Sequence, residues 1–81
     1  MINIPIARLD YTAIGARRVS TVCLSLGSFE VGVRGNDGAW EIERFDTREE
    51  ARDFHITQVG RAVIATGAPA VEMTREEDRA R

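Results

Sequence analysis

The sequence predicts an α+β fold: an antiparallel three- to five-stranded sheet, built as a β-meander, with one long helix packed on one face. Three observations carry this. Between Arg18 and Phe45 apolar and polar residues alternate with period 2, interrupted by two short loops that contain glycine. After Phe45 the period becomes that of a helix, behind an N-cap signal. Beyond Gly67 and Pro69 a brief alternation returns, enough for one short strand.

Taken in order, residues 2–14 alternate weakly (Ile2, Ile4, Ile6, then Leu9 and Tyr11), so residues 1–14 are expected as an extra strand or an arm. "LGSF", from Leu26 to Phe29, reads as a two-residue hairpin loop with glycine first, as a type II′ turn requires. It would set Leu26 opposite Phe29, Leu24 opposite Val31 and Val22 opposite Val33. "GNDG", Gly35 to Gly38, supplies residues that tolerate positive φ; with Arg34 facing Ala39, Val33 meets Trp40 and Val31 meets Ile42. Val22, Leu24, Leu26, Phe29, Val31, Val33, Trp40 and Ile42 then share one apolar face. In the same register Ser25, Glu30 and Glu43 form one row of the other face and Cys23, Gly32 and Glu41 the next, with Arg34 as its one basic residue.

The helix is expected over residues 47–66. Asp46 or Thr47 caps it, Glu49 or Glu50 reaches back to close a capping box, and Ala51, Phe54, Val59, Ala62 and Val63 form the stripe that lies on the sheet. Gly60 costs about 1 kcal/mol inside a helix and marks where it would break. Gly67 and Pro69 end it, and "PAVEMT" sets Val71 and Met73 against Ala70 and Glu72 as a returning strand. "TREE" occurs at Thr47–Glu50 and again at Thr74–Glu77, but the residues that follow the two copies differ, so the repeat is one capping signal used twice. Residues 75–81 read as a frayed charged tail, too short for an isolated helix.

Eighty-one residues make a single α+β domain with one small core. A net charge of -2 gives no general attraction to nucleic acid or anionic lipid, so such binding would need a local basic patch. All eleven basic residues are arginine, which fits codon bias. The single cysteine, Cys23, excludes an internal disulfide and a cysteine-clustered zinc site, and no apolar run approaches a membrane span. A soluble, unprocessed, cytoplasmic protein is expected.

No residues assemble into a catalytic constellation. His55, the only histidine, reads as a boundary residue of the helix without a nucleophile or an orienting carboxylate, and "GNDG" lacks the lysine and hydroxyl of a phosphate loop. Cys23 would lie opposite the main core with Arg34 as its only basic neighbour. The expectation is therefore a non-enzyme with no cofactor and no metal. The distinctive feature is the second sheet face, where Glu30 would oppose Glu43, a like-charge pairing that costs about 0.2–1 kcal/mol. Glu30, Glu41, Glu43 and Arg34 are the candidate partner-binding residues, and a basic protein surface is the partner they would suit. A homodimer through the exposed sheet edge is the other association the pattern allows.

Two resemblances bear on function. The stretch "WEIERFDTREEARDF", with the hairpin before it from about Phe29 to Phe54, resembles the three-strand-plus-helix arm-type DNA-binding domains of phage tyrosine integrases. That resemblance implies a sheet face inserted into the major groove, where Glu30, Glu41 and Glu43 would meet phosphate repulsion. In size and architecture the chain also resembles small phage-encoded inhibitors of the anti-CRISPR type, which implies a non-catalytic protein that covers a nucleic-acid-binding host complex with carboxylates. Protein–protein interaction leads on this basis, and DNA binding is the alternative.

Overall fold

The computed structural model describes residues 2–73; the expected tail and the second "TREE" lie outside the described residues. The elements are β1 (Pro5–Ile14), β2 (Arg17–Leu24), β3 (Phe29–Arg34), β4 (Trp40–Phe45), α1 (Arg48–Thr66) and β5 (Ala70–Glu72). The strands form one antiparallel sheet in the order β4-β3-β2-β1-β5, and α1 packs on one face. The α+β meander with a short strand after the helix is thus present, and the N-terminal segment is a full strand of it. The residues before β1 are tied to the β2–β3 loop: Asn3 Nδ2 donates to Ser28 Oγ at 3.0 Å and Leu26 N donates to Asn3 Oδ1 at 3.0 Å.

The loops decide the register, and they differ from the expected ones. The two-residue loop with a positive-φ glycine first is Gly15–Ala16, between β1 and β2, where Ile14 pairs with Arg17 and Gly15 has φ 59°. The β2–β3 loop has three residues. Leu24 N donates to Ser28 O at 2.8 Å, Gly27 N donates to Leu24 O at 3.0 Å, and Gly27 closes the loop in the left-handed region at φ 93°. The β3–β4 loop repeats this plan, with Gly35 N to Ala39 O at 3.1 Å, Gly38 N to Gly35 O at 3.1 Å and Gly38 at φ 83°. Both are type I turns closed by a left-handed glycine that forms a bulge.

Each loop shifts the pairing by an odd number of residues, and an odd shift exchanges the two faces of a strand. Thr21 now opposes Val31 and Cys23 opposes Phe29. Val31 opposes Glu43, Val33 opposes Glu41, and Trp40 lies opposite Arg34. Relative to β3, the side chains of β2 and β4 therefore occupy the faces opposite to those expected. Ile14, Val19, Val31, Ala51 and Ala62 form the buried core, with Phe29, Val33, Phe45, Phe54, Val59 and Val63 packed against it. Val22, Leu26, Trp40 and Ile42, expected inside, are not part of it: Trp40 is 43% and Ile42 60% exposed, and Leu26 sits in the loop. Cys23, expected opposite the core, is a half-buried free thiol on the helix side beside Phe29.

The helix follows its sequence signals. Thr47 Oγ1 accepts from Glu50 N at 3.2 Å and donates to Glu50 Oε1 at 2.9 Å, so Thr47 is the N-cap and Glu50 reaches back to its hydroxyl, whereas a full capping box has the carboxylate accept from the cap's backbone N–H. Gly67, at φ 72°, ends it with its N–H donated to Val63 O at 2.8 Å. The helix runs unbroken through Gly60. The five expected stripe residues all face the sheet, joined by His55 and by Gln58. Among the described residues no helix is long and apolar enough to cross a membrane.

Candidate partner-binding surface

The face exchange redistributes the candidate residues. Glu30 and Arg34 remain on the open face of the sheet, whereas Glu41 and Glu43 move to the helix side, so the four do not form one acidic surface. Glu30 faces Arg44 instead of Glu43, and the two make an ion pair at 2.9 Å that neutralises both. The like-charge pairing expected across β3 and β4 is replaced by an attractive one.

On the open face, Trp40 and Ile42 take the positions expected for glutamates. Gly32 is what lets the indole lie flat on β3. A Cβ at position 32 would come within 3.0 Å of Trp40 Cε3 and 3.2 Å of Cζ3, so any larger residue would lift the ring. Arg34 Cζ lies 5.8 Å from the Trp40 ring centre on the same face. Around them Pro5, Ser20, Val22, Gly32 and Ile42 line a shallow depression of about 180 Å³. The open face is thus apolar at the β3–β4 end, with Arg34 and the Arg44–Glu30 pair around it.

On the helix side, Glu41 and Glu43 border a groove of about 440 Å³ between β4 and α1, together with Val33, Phe54, Gln58 and Arg61. Neither glutamate makes an ion pair or hydrogen bond among the described residues. Strand β4 is also the edge of the sheet. It therefore presents three things together: an open backbone edge, two uncompensated carboxylates on one face, and an exposed tryptophan and isoleucine on the other.

A second polar constellation escaped sequence reasoning. His55 is 5% exposed, held between β1 and β2 by two threonines. Thr12 Oγ1 donates to Glu72 Oε1 at 3.2 Å, because a carboxylate can only accept. Having given away its one proton, Thr12 Oγ1 accepts from His55 Nε2–H at 2.9 Å. Nδ1 is then the bare nitrogen and accepts from Thr21 Oγ1–H at 2.6 Å. The histidine is thus the neutral Nε2–H tautomer. Burial lowers its pKa from the usual histidine value, opposed by the nearby charges of Asp10 and Glu72.

A hydroxyl donating to a histidine is half of a nucleophile–base pair, but Thr21 is only 2% exposed. A cleft beside it is lined by Leu9, Asp10, Thr21, Arg48 and Arg52. The network's direct effect is to fasten α1 to β1, β2 and β5. Among the described residues no group of three histidine, cysteine or carboxylate side chains could hold a metal ion. No protein-family model, curated protein or solved structure matches the chain.

Proposed function

We propose that this domain is a non-catalytic protein–protein interaction module that binds its partner through β4 and the open sheet face beside it. One observation carries the reading. Trp40 and Ile42 stand exposed side by side on a strand that, among the described residues, has no neighbour on its outer edge. A core this small has few large apolar groups to spare, and contiguous exposed apolar side chains mark interaction surfaces. Tryptophan in particular dominates binding energy where it is buried by a partner. Glu41 and Glu43 fit a basic partner, as does a cytoplasmic inhibitor of the phage or mobile-element kind that blocks a nucleic-acid-binding host complex.

The test is affinity capture from host extract with the wild-type domain and with Trp40→Ala and Ile42→Thr. Capture that disappears in both variants while their far-UV circular dichroism is unchanged supports the reading. Capture that persists in both overturns it.

DNA binding is the second reading, and the corrected register favours it more than the sequence does. With Glu41 and Glu43 removed to the helix side, the open face carries Arg8, Arg18, Arg34 and Arg44 against Glu30 among the described residues. Phosphate repulsion is correspondingly smaller. Yet the β3–β4 end of that face is Trp40, Ile42 and Val22, which offer base edges few hydrogen bonds. A mobility-shift titration with duplex DNA at low salt separates the two: a shift that weakens steeply as salt is added and is lost in Arg34→Ala would place DNA ahead of protein.

A further inference from the structure

We infer that the partner segment is an extended strand that adds to the β4 edge, with basic side chains facing Glu41 and Glu43 and apolar side chains continuing the face of Trp40 and Ile42. This rests on the interaction reading and deepens it by naming the chemistry and geometry of the partner.

The backbone comes first. Gly35 and Ala39 form a hydrogen-bonded pair at the top of the β3–β4 ladder. The alternation of an antiparallel ladder then turns the N–H and C=O groups of Glu41, Glu43 and Phe45 toward β3. It leaves those of Trp40, Ile42 and Arg44 pointing outward, available to another strand. These same residues carry their side chains on the open face, so backbone pairing and coverage of Trp40 and Ile42 would occur together.

The two edges of the sheet are treated differently. On the far side, among the described residues, β5 pairs with Thr12 to Ile14 and Met73 N donates to Tyr11 O, and the rest of β1 is blunted by Pro5 and by register shifts between Pro5 and Ala7 and between Arg8 and Asp10. Strand β4 pairs with β3 without any register shift and contains neither proline nor glycine. It is the edge on which a straight strand can be laid.

Charge selects what is laid there. A second copy of β4, added antiparallel about a two-fold axis, must pair residues that share a face. The registers covering most of the strand centre on Ile42, which sets Glu41 against Glu43 twice, or on Glu43, which sets it against itself. Both oppose like charges at the non-hydrogen-bonded positions, where side chains come closest. A strand that alternates basic and apolar residues reverses the sign of those contacts, with Arg61 the positive group among the described residues that line the groove.

The probe is a short synthetic peptide of alternating arginine and valine, titrated into the isotope-labelled domain and followed by nuclear magnetic resonance. The amides of Trp40, Ile42 and Arg44 should become protected from hydrogen exchange on binding. Methylating the peptide's backbone nitrogens should weaken binding about tenfold or more, without altering the domain at all. The double variant Glu41→Lys, Glu43→Lys should lose the arginine peptide and take up a glutamate–valine one. Failure of the peptide to bind, binding without protection of those amides, or indifference to N-methylation or to the charge swap overturns the strand-addition inference. If capture of the native partner still depends on Trp40 and Ile42 in that event, the interaction reading stands and only its geometry is wrong.

Discussion

Replacing Thr21 by valine removes one hydroxyl from the helix–sheet interface and keeps the side-chain shape. In the wild-type domain that hydroxyl donates to the bare Nδ1 of His55 at 2.6 Å, and both groups are buried. Valine leaves Nδ1 as a buried acceptor with no donor. Losing such a partner costs about 1–3 kcal/mol, the desolvation penalty rather than the smaller net value of the bond. A domain of this length has a total stability of about 4–12 kcal/mol at the usual per-residue scale, so the variant should lose a substantial share of it. The melting temperature should fall by roughly 5–20 °C.

Urea unfolding at neutral pH, with Thr21→Ser as the control that keeps the hydroxyl, measures the difference directly. Nitrogen-15 spectra of the imidazole give an independent check, since Nε2 should show the signature of a protonated nitrogen and Nδ1 that of a bare one. Thr21→Val matching the wild type within about 0.5 kcal/mol, the ordinary scatter of neutral substitutions, would refute the donor role. So would a protonated Nδ1 in the folded domain at neutral pH.

The same histidine makes stability depend on pH. Its folded pKa is lowered by burial, so the unfolded chain binds the proton more readily; the stability it contributes is complete above the unfolded value of about 6.5 and is lost as pH falls through the folded value. Urea midpoints should therefore decline below about pH 6.5 in the wild type and show that part of the decline removed in His55→Gln. Thr47→Ala, which deletes both contacts of the helix cap, should cost about 0.5–2 kcal/mol in thermal or urea unfolding. Gly32→Ala should leave the fold intact but displace the Trp40 ring by a few tenths of an ångström, read as a changed near-ultraviolet dichroism spectrum.

The helix, its two caps and the returning strand were readable because each rests on local chemistry: Thr47 with Glu50, a left-handed Gly67, the break at Pro69. Strand existence was readable too, since period 2 survives any choice of register. The pairing was not, because β2 and β4 can each present an acceptable face either way. Val22 and Leu24 compete with Val19, Thr21 and Cys23, and Trp40 and Ile42 compete with Glu41, Glu43 and Phe45. Hydrophobicity alone prefers the set containing tryptophan. Turn geometry overrides it, and the clue lies in Asn36-Asp37-Gly38, where glycine closes a three-residue loop and Asp37 Oδ1 accepts from Ala39 N at 3.0 Å. The Thr12–His55–Thr21 network was beyond reach for a related reason. Its members come from three elements, and only the β1–β2 pairing sets the two threonines near each other on the face beneath the helix.

With that register the helix-covered face carries polar groups beside its aliphatic core, and at β4 apolar groups meet solvent. Asp10, Thr12 and Thr21 lie beneath the first half of α1, Glu41 and Glu43 flank its groove, and a band through Ile14, Val19 and Val31 forms the aliphatic core there, while Leu24 is buried as well and Tyr11, Ala13 and Met73 form a second buried cluster. Under the helix the inversion is compensated, since Thr12 and Thr21 satisfy His55 and the network ties separate elements together. At β4 no such compensation exists within the described residues: the two glutamates are unpaired, and Trp40 gains only the cover of Gly32 and Arg34. A local departure from the inside–outside rule without an internal offset is where use by a partner is expected to leave its mark. The polar interior therefore serves the fold, and the apolar, acidic edge at β4 is where we propose that a partner binds.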